Sequence, residues 1–314
     1  MIRILANDGI AANGKQLLEE AGFSVDTKKI PQDELMTKLN DYDAIIVRSA
    51  TKVRKDLIDA SPNLKAILRG GVGIDNIDHE YAKNKGIPTY NTPAASSDAV
   101  AELVFAHFFG LSRFLHRSNR ELTASDGDFN KLKKAYAGGQ QLRGRTLVVI
   151  GFGRIGMAAA RIGLGMGMKV LPVDLYKESD TVKLSFADGR DMEFKLDTVP
   201  LEEALPQADY ITIHVPGGNL INAEEIAKMK DGVIIANTSR GGVINEDALL
   251  EALNSGKIAG AALDVFVGEP NPRRDLLEHP RLSVSPHIGA ATSEAQDNIG
   301  VELFEKLRDH FGQK

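Results

Sequence analysis

Three charged residues lie at the ends of apolar runs in the second half of the sequence. They are Arg240 after residues 233–239, Glu269 after residues 262–267, and His287 after residues 282–286. Apolar runs of this length are typical of strands, and ligands of parallel sheets bind beyond the carboxyl ends of the strands. The pattern therefore predicts that a guanidinium, a carboxylate and an imidazole meet at one edge of a sheet.

These side chains suit the interconversion of a hydroxyl and a carbonyl beside a carboxylate. His can hold or release a proton near neutral pH, and a neighbouring carboxylate stabilises its imidazolium form. An Arg fork binds a carboxylate through two hydrogen bonds and can polarise an adjacent carbonyl. Each residue alone is also ordinary, since surface Arg, Glu before Pro and His near a strand end are common without function. Position and chemistry alone leave the assignment open.

A glycine-rich segment, Gly151-Phe152-Gly153-Arg154-Ile155-Gly156, lies between the apolar residues 147–150 and the helix-like residues 157–166. Its glycines would permit a tight turn, a close approach to a pyrophosphate and close helix–strand packing, and the helix N–H groups would face the phosphates. Asp174 ends the next apolar run, where a carboxylate binds both adenosine ribose hydroxyls and repels a 2′-phosphate. The segment predicts NAD rather than NADP; the alternative is a glycine-rich turn with a solvated Asp.

Apolar runs and helix-like segments alternate in two series, residues 2–91 and 146–285. This alternation predicts an α/β fold with parallel sheets and right-handed crossovers. We expect two doubly wound domains, the first flavodoxin-like and the second Rossmann-like, with a cleft between them.

Three segments depart from the alternation. Residues 97–122 carry apolar side chains at helical spacing, which predicts one long helix joining the domains. Residues 124–144 are polar and glycine-rich, which predicts a loop. Residues 182–186 and 192–196 flank an Asp-Gly turn, which predicts an inserted hairpin.

Composition excludes several classes of function. The 314 residues suggest about two domains, and the net charge of -5 disfavours nucleic acid or an anionic membrane as a partner. The absence of cysteine excludes disulfides, thiolate catalysis and Cys-ligated zinc, and we expect no metal. Neither a signal peptide nor a membrane span is expected, so the sequence predicts a cytoplasmic protein.

Several of these segments together resemble one family. They are residues 147–156, Asn237-Thr238-Ser239-Arg240-Gly241-Gly242, residues 260–266, Gly268-Glu269-Pro270 and residues 285–290. They are similar to the D-isomer-specific 2-hydroxyacid dehydrogenase family, and the resemblance covers essentially the whole chain. It implies that Arg240 binds the substrate carboxylate, that His287 is the acid/base, and that Glu269 is the partner of its imidazole.

The resemblance also implies NAD as the cofactor. It places Asp264 beside the nicotinamide and His214-Val215-Pro216 along the adenine pocket. The full set of predicted cofactor-binding residues is Gly151, Gly153, Arg154, Ile155, Gly156, Asp174, His214, Val215, Pro216, Thr238, Ser239, Asp264, Gly289 and Ala290.

Within the family, residues 47–53, 71–78 and 91–93 resemble the enzymes that oxidise 3-phospho-D-glycerate. The resemblance makes Arg48 a candidate phosphate ligand. The lysines of residues 131–134 lie where such enzymes reach a basic residue toward the cleft, across a dimer interface; the alternative is a solvated loop. The predicted substrate-binding residues are Arg48, Ser49, Val72, Gly73, Lys131, Lys134 and Arg240.

We therefore expect residues 1–95 with 288–314 to bind substrate and residues 96–287 to bind NAD, in a homodimer that oxidises 3-phospho-D-glycerate for serine biosynthesis. Because the sequence ends at Lys314, we expect no C-terminal regulatory domain. The alternatives are a glyoxylate/hydroxypyruvate reductase, an erythronate-4-phosphate dehydrogenase, or a non-catalytic NAD-sensing scaffold. The presence of all three candidate catalytic residues argues against the scaffold.

Overall fold

A computed structural model describes residues 1–124 and 127–312. Ser125 and Asp126, in the predicted loop, and Gln313 and Lys314, in the predicted substrate domain, lie outside the described residues. The strands are β1 (Arg3–Ala6), β2 (Ser24–Asp26), β3 (Ala44–Val47), β4 (Ala66–Arg69), β5 (Thr89–Asn91), β6 (Thr146–Ile150), β7 (Lys169–Val173), β8 (Ser179–Ser185), β9 (Asp191–Asp197), β10 (Tyr210–Ile213), β11 (Val233–Asn237), β12 (Ile258–Leu263) and β13 (Leu282–Val284).

The helices alternate with these strands. They are α1 (Ala12–Glu20), α2 (Leu35–Lys38), α3 (Lys55–Asp59), α4 (His79–Asn84), α5 (Ser97–Ser112), α6 (Leu115–Thr123), α7 (Phe129–Ala135), α8 (Arg154–Gly165), α9 (Leu201–Ala204), α10 (Ala223–Lys228), α11 (Glu246–Ser255), α12 (Arg274–Leu277) and α13 (Ser293–Phe311), with 3₁₀ turns at Leu39–Asp41 and Leu205–Gln207. The chain divides into two compact units, residues 1–96 with 290–314 and residues 97–289.

The first unit is a five-stranded parallel sheet in the order β2-β1-β3-β4-β5, which is flavodoxin-like. Successive residues of β1 point to opposite faces, so Ile4 packs with α1 and α13 while Leu5 packs with α2, α3 and α4. Helices α1 and α13 approach closely, since a Cβ on Gly14 would lie 2.5 Å from the Cα of Gly300. The central strands β1, β3 and β4 are largely buried on both faces, which explains their apolar runs.

The second unit is a six-stranded parallel sheet in the order β13-β12-β11-β10-β6-β7. One face packs on α9, α10 and α11, and the other packs on α5 and α8. The predicted hairpin is present as the antiparallel pair β8–β9, and its Val182 and Leu184 are buried in the same core as α8. The predicted α/β class with two parallel sheets is confirmed.

The prediction of one long helix over residues 97–122 is wrong. The helix breaks between α5 and α6, where Phe114 adopts a left-handed backbone with φ of 56°. The Ser112 carbonyl accepts a hydrogen bond from the Gln140 N–H rather than from the next helical turn. A contact distant in sequence thus ends α5, and periodicity alone does not reveal it.

The prediction that residues 124–144 form only a loop is also wrong in its described part. Helix α7 begins after Asp128, whose side chain accepts a hydrogen bond from the Lys131 N–H at 3.1 Å. Asp is a preferred N-cap residue, so the sequence carries this signal. Among residues 1–124 and 127–312, no helix combines the length and apolar character that a bilayer span requires.

Candidate active site

His287 and Glu269 form a hydrogen-bonded pair in the second unit. The His287 Nδ1 lies 2.9 Å from the Glu269 Oε2, and the two side chains are 46% and 36% exposed. An ionised carboxylate can only accept, so Nδ1 donates and Nε2 is left to exchange a proton with a ligand. The other Glu269 oxygen, Oε1, accepts the Phe266 N–H at 2.8 Å, which fixes the carboxylate in the loop after β12.

The turn that carries His287 is held by the buried Asp264. His287 has a φ of 54°, a left-handed backbone that is uncommon outside glycine. The Asp264 carboxylate accepts the Ile288 N–H at 2.9 Å, the Gly289 N–H at 2.8 Å and the Ser285 hydroxyl at 2.6 Å. These three bonds bracket His287 on both sides and compensate for its unusual backbone.

Arg240 lies in the loop after β11 and close to the loop that carries Glu269. The buried Asn237 accepts the Ser239 N–H and hydroxyl, and its amide donates to the Arg240 carbonyl at 2.8 Å. A Cβ on Gly241 would lie 2.1 Å from the Phe266 carbonyl oxygen, so the two loops touch. The structure thus brings the loops of Arg240, Glu269 and His287 to the same edge of the sheet.

The glycine-rich segment adopts the geometry that a dinucleotide requires. Gly151 has a φ of +90°, and a Cβ there would lie 2.5 Å from the His214 carbonyl oxygen. A Cβ on Gly156 would lie 2.0 Å from the Gly151 carbonyl oxygen, whereas a Cβ on Gly153 would meet nothing within 4 Å. No side chain of the described residues caps α8, so the first N–H groups of this helix are left for a ligand such as a pyrophosphate.

Asp174 directly follows β7, as predicted. Its carboxylate accepts the Phe152 N–H at 2.7 Å through Oδ2 and the Tyr176 N–H at 2.8 Å through Oδ1. Each oxygen has a second lone pair, so the anchored carboxylate can still accept from ribose hydroxyls. Arg154 is exposed and Ile155 half-buried at the start of α8.

Two buried polar atoms at the carboxyl ends of β10 and β11 have no protein hydrogen-bond partner among the described residues. They are the His214 Nδ1, after β10, and the Thr238 Oγ1, after β11. The other His214 nitrogen, Nε2, lies 3.0 Å from the Thr212 hydroxyl, and desolvation lowers the pKa of His214 to about 3, so the ring is neutral. Buried polar groups normally have partners, so these two atoms fit a site that a ligand completes.

The remaining predicted cofactor residues are distributed as follows. Val215 packs near Gly151, Pro216 is exposed, and the Ser239 hydroxyl is engaged by Asn237. Gly289 belongs to the second unit, whereas Ala290 belongs to the first, where its carbonyl accepts from the Gln296 amide at 2.7 Å.

In the first unit, Arg48 follows β3 on a loop with several polar anchors. The Asp8 carboxylate, after β1, accepts the Arg48 N–H at 2.7 Å, the Thr51 N–H at 3.0 Å and the Thr51 hydroxyl at 2.8 Å. The Asn76 amide donates to the Arg48 and Thr51 carbonyls at 2.7 and 2.6 Å. The loop backbone is therefore fixed, while the half-buried Arg48 guanidinium makes no hydrogen bond or ion pair with the rest of the described chain.

Other predicted substrate residues have simpler settings. Ser49 is exposed, Val72 and Gly73 are half-buried, and the Val72 carbonyl accepts from the Asn91 amide at 2.6 Å. Lys131 and Lys134 are exposed on α7. Within the described part of the chain, no hydrogen bond or ion pair joins either ammonium group to another predicted site residue.

Three comparisons identify proteins similar to this chain. Residues 105–289 match the family model described as D-isomer specific 2-hydroxyacid dehydrogenase, NAD binding domain. A hydroxypyruvate reductase of Thermotoga maritima is 41% identical over 99% of this chain and 98% of its own length. The chain belongs to the D-isomer-specific 2-hydroxyacid dehydrogenase family.

Other family members are similar to this chain. A D-3-phosphoglycerate dehydrogenase of Methanocaldococcus jannaschii is 38% identical over 98% of this chain, which spans 57% of that relative's length. A crystal structure of D-lactate dehydrogenase from Aquifex aeolicus, complexed with NAD and lactic acid, has a TM-score of 0.74 and 29% identity, over 99% of this chain and 95% of that one. The predicted family and the NAD cofactor are confirmed, and the roles of individual site residues stay predictions.

Sequence reasoning missed several polar residues that hold the predicted ones in place, four of which are central to the loops described above. They are Asp8 and Asn76 in the first unit and His107 and Ser285 in the second. Asp8 lies two residues after the end of β1, so the strand-end rule applied to the first sheet would have found it. His107 lies within an apolar helix and has no comparable signal.

Proposed function

We propose that this D-2-hydroxyacid dehydrogenase oxidises 3-phospho-D-glycerate to 3-phosphohydroxypyruvate. The observation that carries the proposal is the Arg48 guanidinium, which is half-buried, lies after β3 and has no protein partner within residues 1–124 and 127–312. A guanidinium fork matches a phosphate group and is poorly satisfied without an anion. D-3-phosphoglycerate dehydrogenases that are 37–39% identical over 98% of this chain support the same substrate.

In the proposed reaction, the His287 Nε2 accepts the proton of the substrate C2 hydroxyl while the C2 hydrogen leaves with its electron pair. Glu269, hydrogen-bonded to the His287 Nδ1 at 2.9 Å, keeps the ring in the tautomer that leaves Nε2 free and then stabilises the imidazolium. Arg240 binds the substrate carboxylate and polarises the carbonyl that forms at C2. His287 returns its proton to water when the cycle ends.

The residues that would hold NAD are those around the glycine-rich segment. The start of α8 would bind the pyrophosphate, Asp174 the adenosine ribose, and the unpartnered Thr238 Oγ1 and His214 Nδ1 would complete the site. When bound, NAD supplies the acceptor for the hydrogen and its electron pair.

The second candidate is reduction of unphosphorylated hydroxypyruvate. The Thermotoga maritima hydroxypyruvate reductase favours it, because that relative is 41% identical and matches this chain over 98% of its own length. The phosphoglycerate dehydrogenases are instead nearly twice as long as this chain. The two candidates use the same residues of the second unit and differ only in what Arg48 binds.

The test is a comparison of wild type and Arg48→Ala on phosphorylated and unphosphorylated acids. For wild type we expect kcat/KM on 3-phospho-D-glycerate to exceed that on D-glycerate at least about a hundredfold, as a charge-assisted bidentate contact allows. Arg48→Ala should raise KM for the phosphorylated acid at least about tenfold and change KM for NAD by less than about twofold.

The matched control is Arg54→Ala, which removes another guanidinium of the first unit. Arg54 pairs with Asp78 at 3.0 Å and is not a predicted substrate residue, so its loss should leave the preference unchanged. Equal rates on both acids would instead support the hydroxypyruvate candidate. Tight NAD binding without turnover of any 2-hydroxy acid would revive the non-catalytic scaffold.

We also propose that the chain is a homodimer. Large apolar side chains are exposed along α5, α6 and α7, namely Phe109, Leu115, Leu122 and Phe129. Clustered exposed apolar residues are typical of protein interfaces. Light scattering should give twice the monomer mass for wild type and for the control Met36→Glu, which alters an exposed residue of the first unit, whereas Leu115→Glu should give monomer.

A further inference from the structure

His107 is a buried histidine of α5 with both ring nitrogens engaged. The residue is 8% exposed. Its Nδ1 lies 2.8 Å from the Ser283 hydroxyl, on β13, and its Nε2 lies 3.0 Å from the Ser285 hydroxyl, directly beyond the same strand. His107 therefore spans from the helix to the strand that leads into the His287 turn.

The direction of each hydrogen bond in this cluster follows from the carboxylate at its end. The Ser285 hydroxyl donates to the Asp264 Oδ1 at 2.6 Å, so its oxygen is left to accept from the His107 Nε2–H. Burial lowers the pKa of His107, so the ring is neutral and has one N–H. Nδ1 therefore accepts from the Ser283 hydroxyl. Each donor in this series of hydrogen bonds, from Ser283 through His107 and Ser285, thus points toward the Asp264 carboxylate.

Asp264 connects this series of hydrogen bonds to the turn that carries His287. Asp264 is 1% exposed, and its carboxylate also accepts the N–H groups of Ile288 and Gly289, the two residues that follow His287. A buried carboxylate is costly unless its lone pairs are satisfied, and Ser285 can donate to it only while its own oxygen is correctly oriented. His107 is the group that sets this orientation.

We propose that His107 is a positioning residue for the proton chemistry of His287, acting through Ser285 and Asp264. The proposal rests on the proposed role of His287 as the acid/base. His107 touches no substrate in this arrangement. It fixes the Ser285 hydroxyl, which fixes the Asp264 carboxylate, which holds the left-handed turn at His287.

Two substitutions of similar size separate hydrogen bonding from packing. In His107→Gln, the amide oxygen and nitrogen can replace Nδ1 and Nε2 as acceptor and donor. In His107→Met, a side chain of about the same length fills the space with no comparable donor. We expect His107→Gln to keep kcat within about threefold of wild type and His107→Met to lower it about tenfold or more, the effect of one to two buried hydrogen bonds. KM for NAD and for the acid should change less than about twofold.

A double-mutant cycle keeps the test valid if His107→Met weakens folding. Ser285→Ala removes the hydroxyl between His107 and Asp264 with a small change in volume, and should lower kcat about as much as His107→Met does. Ser285→Thr keeps the hydroxyl and serves as its control. In the Ser285→Ala background, replacing His107 by Met should lower kcat by less than about twofold further, since the connection is already broken. Additive losses, or equal losses in the Gln and Met variants, would overturn the proposal.

Hydrogen exchange gives a readout that does not depend on activity. The amides of Ile288 and Gly289 should exchange faster in His107→Met than in His107→Gln, at least about tenfold, while those of β6 should be unchanged. Unchanged exchange at both amides would refute the positioning role. If wild type turns over no 2-hydroxy acid but exchange responds as expected, then the proposed function fails and the inferred connection stands.

Discussion

Asp8 in the first unit and Asp264 in the second each hold an irregular loop at the carboxyl ends of the strands of a parallel sheet. Each follows a strand and holds the loop after the neighbouring strand, Asp8 from β1 to β3 and Asp264 from β12 to β13. Each carboxylate accepts two backbone N–H groups and one hydroxyl of that loop. Ionised acceptors make strong hydrogen bonds, so one acidic residue can fix an irregular loop.

The two carboxylates differ in their burial and in the side chains that support their partners. Asp264 is nearly inaccessible and is reached by Ser285 and then His107, whereas Asp8 is half-buried and its Thr51 partner is contacted by the Asn7 amide at 2.9 Å. The more elaborate support belongs to the turn that carries the candidate proton acceptor. A group that transfers a proton requires closer positioning than a group that only attracts an anion.

The largest expected effect belongs to the residue that the second unit positions. His287→Gln should lower kcat about 10²–10⁴-fold, the usual contribution of an acid/base residue, because Gln cannot accept the hydroxyl proton. NAD affinity, followed by NADH fluorescence, should change less than about twofold. A kcat within about fivefold of wild type would contradict the assignment of the proton transfer to His287.

A paired substitution tests whether the two carboxylates serve different steps. Asp264→Asn should lower kcat about 10–100-fold, since its amide hydrogens would oppose the N–H groups that the carboxylate accepts. Asp8→Asn should instead raise KM for the phosphorylated acid about tenfold and leave kcat within about threefold, because it loosens only the Arg48 loop. If both variants changed kcat alone, the two loops would not be specialised as proposed.

The same comparison shows what the sequence could predict. The strand-end rule finds Arg240, Glu269 and His287, because each follows a recognisable apolar run. It does not find His107, whose partners Ser283 and Ser285 lie 176 and 178 positions away in sequence. Local pattern predicts which residues reach the edge of a sheet, whereas contacts distant in sequence decide what holds them there.

The break after α5 has the same explanation. The helical pattern continues through residues 97–122, but the Ser112 carbonyl pairs with the Gln140 N–H. Long-range pairing outweighs local periodicity at this point.

The two units should also respond differently to mild acid. The pKa of His214 is lowered to about 3 in the folded protein, so below about pH 6.5 the unfolded state binds more protons at this residue than the folded state does. The free energy of unfolding therefore falls as the pH drops from about 6.5 toward about 3. From pH 6.5 to 5 this loss is at most about 2 kcal/mol. In the first unit, Asp26, Asp43 and Asp78 have lowered pKa values, so their contributions fall only below about pH 4.

Urea unfolding at pH 7 and pH 5 checks this expectation. The free energy of unfolding should fall less between the two pH values in His214→Gln than in wild type, and the control His79→Gln, at an exposed site of the first unit, should behave as wild type. An identical pH dependence in all three proteins would show that the folded structure does not lower the pKa of His214.

The smallest expected effect compares Arg48, whose loop backbone is held by hydrogen bonds, with Lys131 and Lys134, which are exposed on α7. Both ammonium groups are exposed on α7, so each contributes at most about 1 kcal/mol and is screened by salt. The double variant with Lys131→Ala and Lys134→Ala should have a KM for the phosphorylated acid that is about two- to fivefold higher at low salt. The rise should be smaller at about 0.5 M salt, where the Debye length is shorter. Replacement of Lys183 and Lys195, exposed on β8 and β9, alters net charge equally and should leave KM unchanged. Equal rises in KM for the two double variants would mean that only net charge matters. A rise in KM as large as that of Arg48→Ala would mean that α7 binds the anion as directly as the loop after β3 does.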